Sequence, residues 1–175
     1  MSTVQRRSYR YVGPPELAAL IRPGGEGRRI GSTADLDDWA DGLVPGELAE
    51  PVTFVVDLDG LLRVASRRSE HVACAGGGRV LSAGEMSFSR ESGLWTVAEV
   101  SNQSTGYCPD TSSWSAVAEA LNRAGLRHPA GFTHAVVFRR CPRCRELNIV
   151  RERDFVCVFC GSDLPEVWNV DPSSA

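Results

Sequence analysis

Near the C-terminal end the chain reads "CPRCRELNIVRERDFVCVFCG", which sets Cys141-x2-Cys144 and Cys157-x2-Cys160 twelve residues apart. No other stretch restricts the fold as much. A Cys-x2-Cys turn places two thiolates on one ion at about 2.3 Å, and two such turns close a tetrahedral shell. Pro142 suits the first tight turn, and Gly161 lets the chain leave the second. The segment "ELNIVRERDFV" between them is expected to form a short hairpin over Ile149 and Phe155. The pattern resembles a zinc ribbon over residues 139 to 165, with Cys141, Cys144, Cys157 and Cys160 as ligands of a structural Zn2+. Iron in a rubredoxin-like shell and a redox pair of dithiols are the alternatives. A closed shell of four thiolates leaves no position for a reacting water, so this metal is expected to be structural.

Charge adds a second constraint. All 19 basic residues are Arg, and the net charge is -3. Residues 35 to 59 carry eight acids and no base, whereas residues 139 to 153 carry six Arg against two Glu. Arg residues at 139, 140, 143, 145, 151 and 153 suit contacts to phosphate, and nucleic acid is therefore one partner class for the ribbon. They equally suit a solvated surface. No ladder of aromatic residues accompanies them, as binding of single strands would need.

With 175 residues the chain is long enough for one domain with its own core and a small appendage. The start "MSTVQRRSYRY" is basic without an apolar run behind it, and nowhere do about eighteen apolar residues follow one another. No signal peptide and no membrane span are expected. The expected compartment is the cytoplasm, where six cysteines serve metal ligation more readily than disulfides.

Upstream of the cysteines the pattern is mixed. "VQRRSYRYVG" alternates as an early strand, and "PPELAALIRPGG" is a short helix opened by Pro and closed by Pro-Gly. Ser32 is placed to cap a helix with Leu36, Trp39 and Leu43 on one stripe. "PVTFVVDLDGLLRVAS" reads as a hairpin turning at Asp59-Gly60, with Val52, Phe54 and Val56 opposed by Leu62 and Val64. A second hairpin turns between Glu91 and Gly93. "TSSWSAVAEALNRAG" is a helix with Trp114, Val117, Ala118 and Leu121 in register, capped by Thr111 or Ser112 and stopped by Gly125. "FTHAVVFRR" is a strand leading into the cysteines. The expected class is α+β: a mainly antiparallel sheet with a few helices over residues 1 to 138, the ribbon over 139 to 165, and a tail over 166 to 175.

Two polar stretches interrupt these hairpins at comparable places. "RRSEHVACAGGGRVLSAGEMSF" sets His71 before a Gly-rich turn, and "SNQSTGYCPD" follows the second hairpin. A Gly-rich turn exposes backbone N–H groups to a ligand, with Gly76 and Gly77 as the candidate ligand-binding turn. His71, Glu85, Ser104 and Tyr107 are candidate acid, base or hydrogen-bonding groups around it. Each also has a plain reading, as loop, solvated strand residue or core ring.

The same residues resemble the core domain of plant calmodulin-binding proteins of the IQM type and their bacterial relatives. The matches are His71, Gly76, Gly77, Val80, Ala83, Gly84, Ser104, Tyr107 and Pro109, within residues 50 to 130. "STGYCP" stands where that family carries a Gly-His, and there is no IQ motif, so calmodulin binding is not carried over. The resemblance implies a fold neighbourhood without a defined reaction.

Two sharper enzyme readings compete with these. His71 and Cys74 with Cys108 would make three ligands of a catalytic zinc, with Glu70 or Glu85 as base, although the spacing matches no deaminase signature. Cys74 or Cys108 could act as a nucleophile with His128 or His134 as base, against the simpler reading of buried cysteines. The expected function is a binding or regulatory module, stiffened by a zinc ribbon, that recognises a protein or a phosphate-bearing ligand and no membrane. The alternative is a transferase or hydrolase of a nucleotide-like substrate, with a pocket around His71, Glu85, Ser104 and Tyr107.

Overall fold

A computed structural model describes residues 6 to 171. The architecture is α+β, with a five-stranded antiparallel sheet, four helices and a C-terminal cluster of four cysteines. The elements are α1 (Pro15–Ala19), β1 (Arg28–Ile30), α2 (Thr33–Asp41), β2 (Val52–Val56), β3 (Leu62–Ala65), α3 (His71–Cys74), β4 (Ser82–Glu91), β5 (Leu94–Ser101), α4 (Trp114–Arg123), β6 (Val137–Arg140) and β7 (Leu147–Val150). Strand order in the sheet is β1-β3-β2-β4-β5.

Turn chemistry builds both hairpins. β2 and β3 pair Phe54 with Val64 and Val56 with Leu62, around a loop in which the Asp57 carboxylate accepts from the amides of Asp59 and Leu61. β4 and β5 turn at Ser92-Gly93, both left-handed, as a two-residue hairpin turn demands. β2 is buried along its whole length, because both faces of the sheet are covered at its centre. Against one face pack Leu36 of α2 and Ala116, Val117, Ala120 and Leu121 of α4. Against the other lie Tyr9, Val72, Cys74, Tyr107, Phe138, Trp168 and Val170, around Val55 and Ala83.

Helix ends follow their residues. Ser32 Oγ accepts from the Asp35 amide at 3.2 Å, as expected of an N-cap. Before α4 the carboxylate of Asp110 bonds the Thr111 amide and the Ser112 hydroxyl, so Asp110 rather than Thr111 or Ser112 opens this segment.

Three expected elements differ. The opening strand is a single bridge, Tyr9 to Val80, because the polar run around it finds no further edge; Val4 and Gln5 of that stretch lie outside the described residues. The strand in "FTHAVVFRR" is confined to Val137–Arg140. The cysteine hairpin joins β6 to β7, so Leu147 faces Arg140 and Ile149 faces Phe138, and Phe155 lies outside it. The first Cys-x2-Cys turn thus serves as the hairpin's own connection.

After the last cysteine, Pro165 to Asp171 form a strap against the core. Arg139 donates to the carbonyls of Pro165 and Glu166, and Arg140 to that of Val170. Trp168 Nε1 donates to the Cys108 carbonyl at 2.8 Å. Residues 172 to 175 of the tail lie outside the described residues.

Candidate metal centre and the predicted polar sites

The four cysteine sulfurs all lie within 4.8 Å of one another. Cys141 Sγ is 3.6 Å from Cys160 Sγ, and Cys144 Sγ is 3.6 Å from Cys157 Sγ. A disulfide would need about 2.0 Å. A tetrahedral ion with bonds of about 2.3 Å needs sulfurs about 3.8 Å apart, so the set fits a metal ion and not a disulfide pair. Around it, Asn148 donates Nδ2 to Cys157 Sγ at 3.4 Å while its Oδ1 accepts from the Val158 amide at 3.0 Å. The amide of Cys144 points at Cys141 Sγ, 3.5 Å away. Such outer donors fix ligand orientation and favour thiolate.

The sulfurs divide in their acidity. Burial works against ionisation of Cys157, yet the Asn148 bond and the amides of Cys160 and Phe159 hold it low, at about 6. Cys144 accepts a hydrogen bond from the Glu146 backbone, but burial and the neighbouring thiols carry it up to about 12. Four thiols this close cannot all ionise unless a cation balances them. Among the described residues, Leu164 with the half-buried Val150 and Phe155 supplies the apolar packing around Cys141 and Cys157.

The polar residues predicted around the Gly-rich turn are distributed over three environments. His71 opens α3 and its Nε2 donates to the Gly84 carbonyl at 2.8 Å. It lines a cleft of about 40 Å³ with Tyr11, Glu70, Thr105 and Gly106. Burial lowers its pKa, while the Gly84 carbonyl, Glu85 and Glu70 work in the other direction. Glu85 lines a separate groove of about 160 Å³ on β4 and β5, with Glu99, Gln103 and His134. Ser104 is buried and accepts from the Tyr107 amide. Tyr107 is buried too, donates its hydroxyl to the Gly78 carbonyl at 2.7 Å, and meets Tyr11 edge-on.

Gly76 and Gly77 sit at φ +63° and +81°, and their amides bond the carbonyls of Ala73 and Val72. They end α3 in the left-handed manner common after a helix. These N–H groups are engaged by the chain itself. The thiols of Cys74 and Cys108 are each pushed up to about 12, first by burial, and Cys108 donates to the Thr105 carbonyl. His71, Cys74 and Cys108 form no ligand cluster among the described residues. His128 is held between the Pro129 carbonyl and Asn122, and His134 contacts Thr133 at the edge of β5.

Sequence reasoning passed over the residue that shapes "SNQSTGYCPD". Asn102 is fully buried; its Nδ2 donates to the carbonyls of Pro109 and Val136, and its Oδ1 accepts from the Val136 amide at 2.6 Å. One amide therefore closes the loop on itself and ties it to the approach to β6. Its place at the end of a strand, opening a polar run, was the available signal.

No family model, curated protein or solved structure matches this chain. Among the described residues no helix is long and apolar enough to cross a membrane.

Proposed function

We propose that the chain is a binding or regulatory module of the cytoplasm, ordered by a structural zinc ion in a ribbon of Cys141, Cys144, Cys157 and Cys160. The observation that carries this reading is the spacing of the four sulfurs, close to that of a tetrahedral thiolate shell. Zinc suits it because four thiolates at this spacing are a preferred set for an ion without redox chemistry. The ion also supplies what the local packing lacks. Leu147 and Ile149 lean on the main core, but around the sulfurs a buried Leu and two half-buried side chains contribute about 1.5–3 kcal/mol each at most, while every ordered residue costs roughly 1.5 kcal/mol of entropy. Metal binding contributes on the order of 10 kcal/mol or more.

A zinc tetrathiolate carries a net charge of about -2, since four thiolates outweigh one divalent ion. Part of the Arg excess around it is thereby balanced. The enzyme reading has less behind it, because His71 and Glu85 line different depressions and Ser104 and Tyr107 bond the backbone. The likeness of residues 50 to 130 to the IQM-type pattern stays a proposal about fold ancestry, and no activity follows from it.

Protein purified without chelator should contain one zinc per chain by elemental analysis, and Cys144→Ser should lose it. A preparation without metal, with all four thiols freely titratable, or one holding iron, would overturn the assignment.

A further inference from the structure

The cysteine turns also carry an unusual surface. Val158 and Phe159, the two residues between Cys157 and Cys160, are 78% and 63% exposed, and Val156 beside them is 40% exposed. Among the described residues, four of the eight exposed large apolar side chains fall between residues 156 and 167. The loop presenting Val158 and Phe159 is fixed at both ends by sulfurs of the cluster and in its middle by the Val158 amide bond to Asn148. These side chains are thus held out to solvent by a rigid frame, which lowers the ordering cost of binding.

The arginines show a matching contrast. Elsewhere most are occupied: Arg28 and Arg29 pair with Asp35 and Asp59, Arg63 with Asp57, Arg90 with Asp37. Arg139 and Arg140, at first sight part of the basic surface, hold the backbone of the strap. By contrast Arg143, Arg145, Arg151 and Arg153 are exposed, and among the described residues their side chains make no ion pair, hydrogen bond or ring contact. Glu146, Glu152 and Asp154 share the module, but none comes within ion-pair distance of them. Arg143 lies inside the first Cys-x2-Cys turn and Arg145 directly after it; the 3.6 Å contact of Cys144 with Cys157 sets that turn against the one bearing Val158 and Phe159.

From this juxtaposition of an apolar loop and unpaired guanidinium groups we infer that the two cysteine turns dock an acidic polypeptide segment with apolar side chains, an inference that rests on the metal-ordered ribbon proposed above. Phe159 and the valines accept the apolar side chains, and Arg143 and Arg145 take the carboxylates in bidentate pairs. Nucleic acid fits less well. Base stacking needs rings, and next to Phe159 the chain presents valines, which offer no stacking face.

The test is a selection from a library of random twelve-residue peptides on the full, metal-analysed chain, with a twelve-nucleotide single-stranded DNA as the competing probe. Enriched peptides should combine Asp or Glu with Leu, Phe or Trp. Phe159→Ser should weaken their binding by roughly tenfold or more. Arg143→Gln with Arg145→Gln should weaken it at low salt and flatten its dependence on ionic strength. All these side chains are exposed, so each variant should keep its metal content and circular dichroism. Absence of enrichment from a metal-loaded preparation would overturn the inference. So would binding unchanged by the variants, or tighter binding of the oligonucleotide. A preparation lacking metal counts instead against the zinc reading, which separates the two failures.

Discussion

His71 donates from Nε2 to the Gly84 carbonyl, 2.8 Å away, in a buried position. Burial disfavours its charged form; Glu85 and Glu70, the carboxylates near it, and the Gly84 carbonyl only partly offset that. In the unfolded chain the ring titrates near 6.5, whereas in the fold it does so lower. Between these two values the unfolded state binds the extra proton, so the contribution of His71 to stability is present above about pH 6.5 and is lost as pH falls below it. The wild type should therefore lose melting temperature on acidification through this range more steeply than His71→Gln, which keeps an N–H donor but cannot titrate. Parallel curves for the two proteins would show that the ring does not report its burial in this way. The residues beside it explain why such roles were hard to read beforehand. A His, a Ser and a Tyr near a glycine turn have the same letters whether they face a ligand or a carbonyl. Tyr107 meets Gly78, 29 positions away in the chain, and only the folded path decides that meeting.

Local chemistry made the elements themselves more legible. Asp59-Gly60 and Ser92-Gly93 mark the hairpins, Ser32 caps α2, and of the expected stripe of α4 Val117 and Leu121 are buried, while Trp114 and Ala118 are half-buried and Ala116 and Ala120 complete the buried face. Pairings between segments distant in the chain were not legible, since the pattern around Tyr9 is that of a strand while its partner is the single residue Val80. In the cysteine module β7 pairs with β6, upstream of the first cysteine, and not with the residues around Phe155 that the expected hairpin in "ELNIVRERDFV" would bring to it. Gly84 carries a specific demand of this kind. A Cβ there would stand 1.9 Å from the Ser101 carbonyl oxygen and 3.0 Å from Asn102 Cα, both backbone atoms that no rotamer change can move. Gly84→Ala must push the end of β5 away from β4 and disturb Asn102, whose three bonds hold the following loop. The expected cost is at least about 2 kcal/mol, visible as a lower denaturant midpoint. A midpoint equal to wild type would mean that β5 can shift without loss and that Asn102 keeps its partners.

At the level of the whole molecule, the strap at 165 to 171 joins what the chain order keeps apart. It follows the last cysteine directly, and Arg139 and Arg140, which hold its backbone, precede the first. Asn169 and Arg140 exchange two further bonds, at 2.7 and 2.9 Å. On its other side Trp168 packs edge-on to Tyr9, with ring centroids 5.3 Å apart, and bonds the Cys108 carbonyl, while Arg10 pairs with Asp171 at 2.5 Å. The N-terminal segment and the loop around Cys108 also bond each other, through Val12 and Gly106, and together they wall the cleft of His71. The metal centre, the strap and this cleft therefore form one mechanical series. Chelation should first release residues 139 to 165, whose own apolar packing is small. The strap then loses its anchor on β6, and with it the brace behind Tyr9 and Cys108. Hydrogen exchange after chelator is added should accordingly rise in the module, in residues 165 to 171, and to a lesser degree around residues 9 to 12 and 104 to 108. β2, β3 and α4 should stay protected, because their core around Phe54, Leu62 and Leu121 lies on the far face of the sheet and contains no residue of the strap. Protection lost only within residues 139 to 165 would show that Trp168 and Asp171 hold the strap without the metal, and the series would be broken at β6.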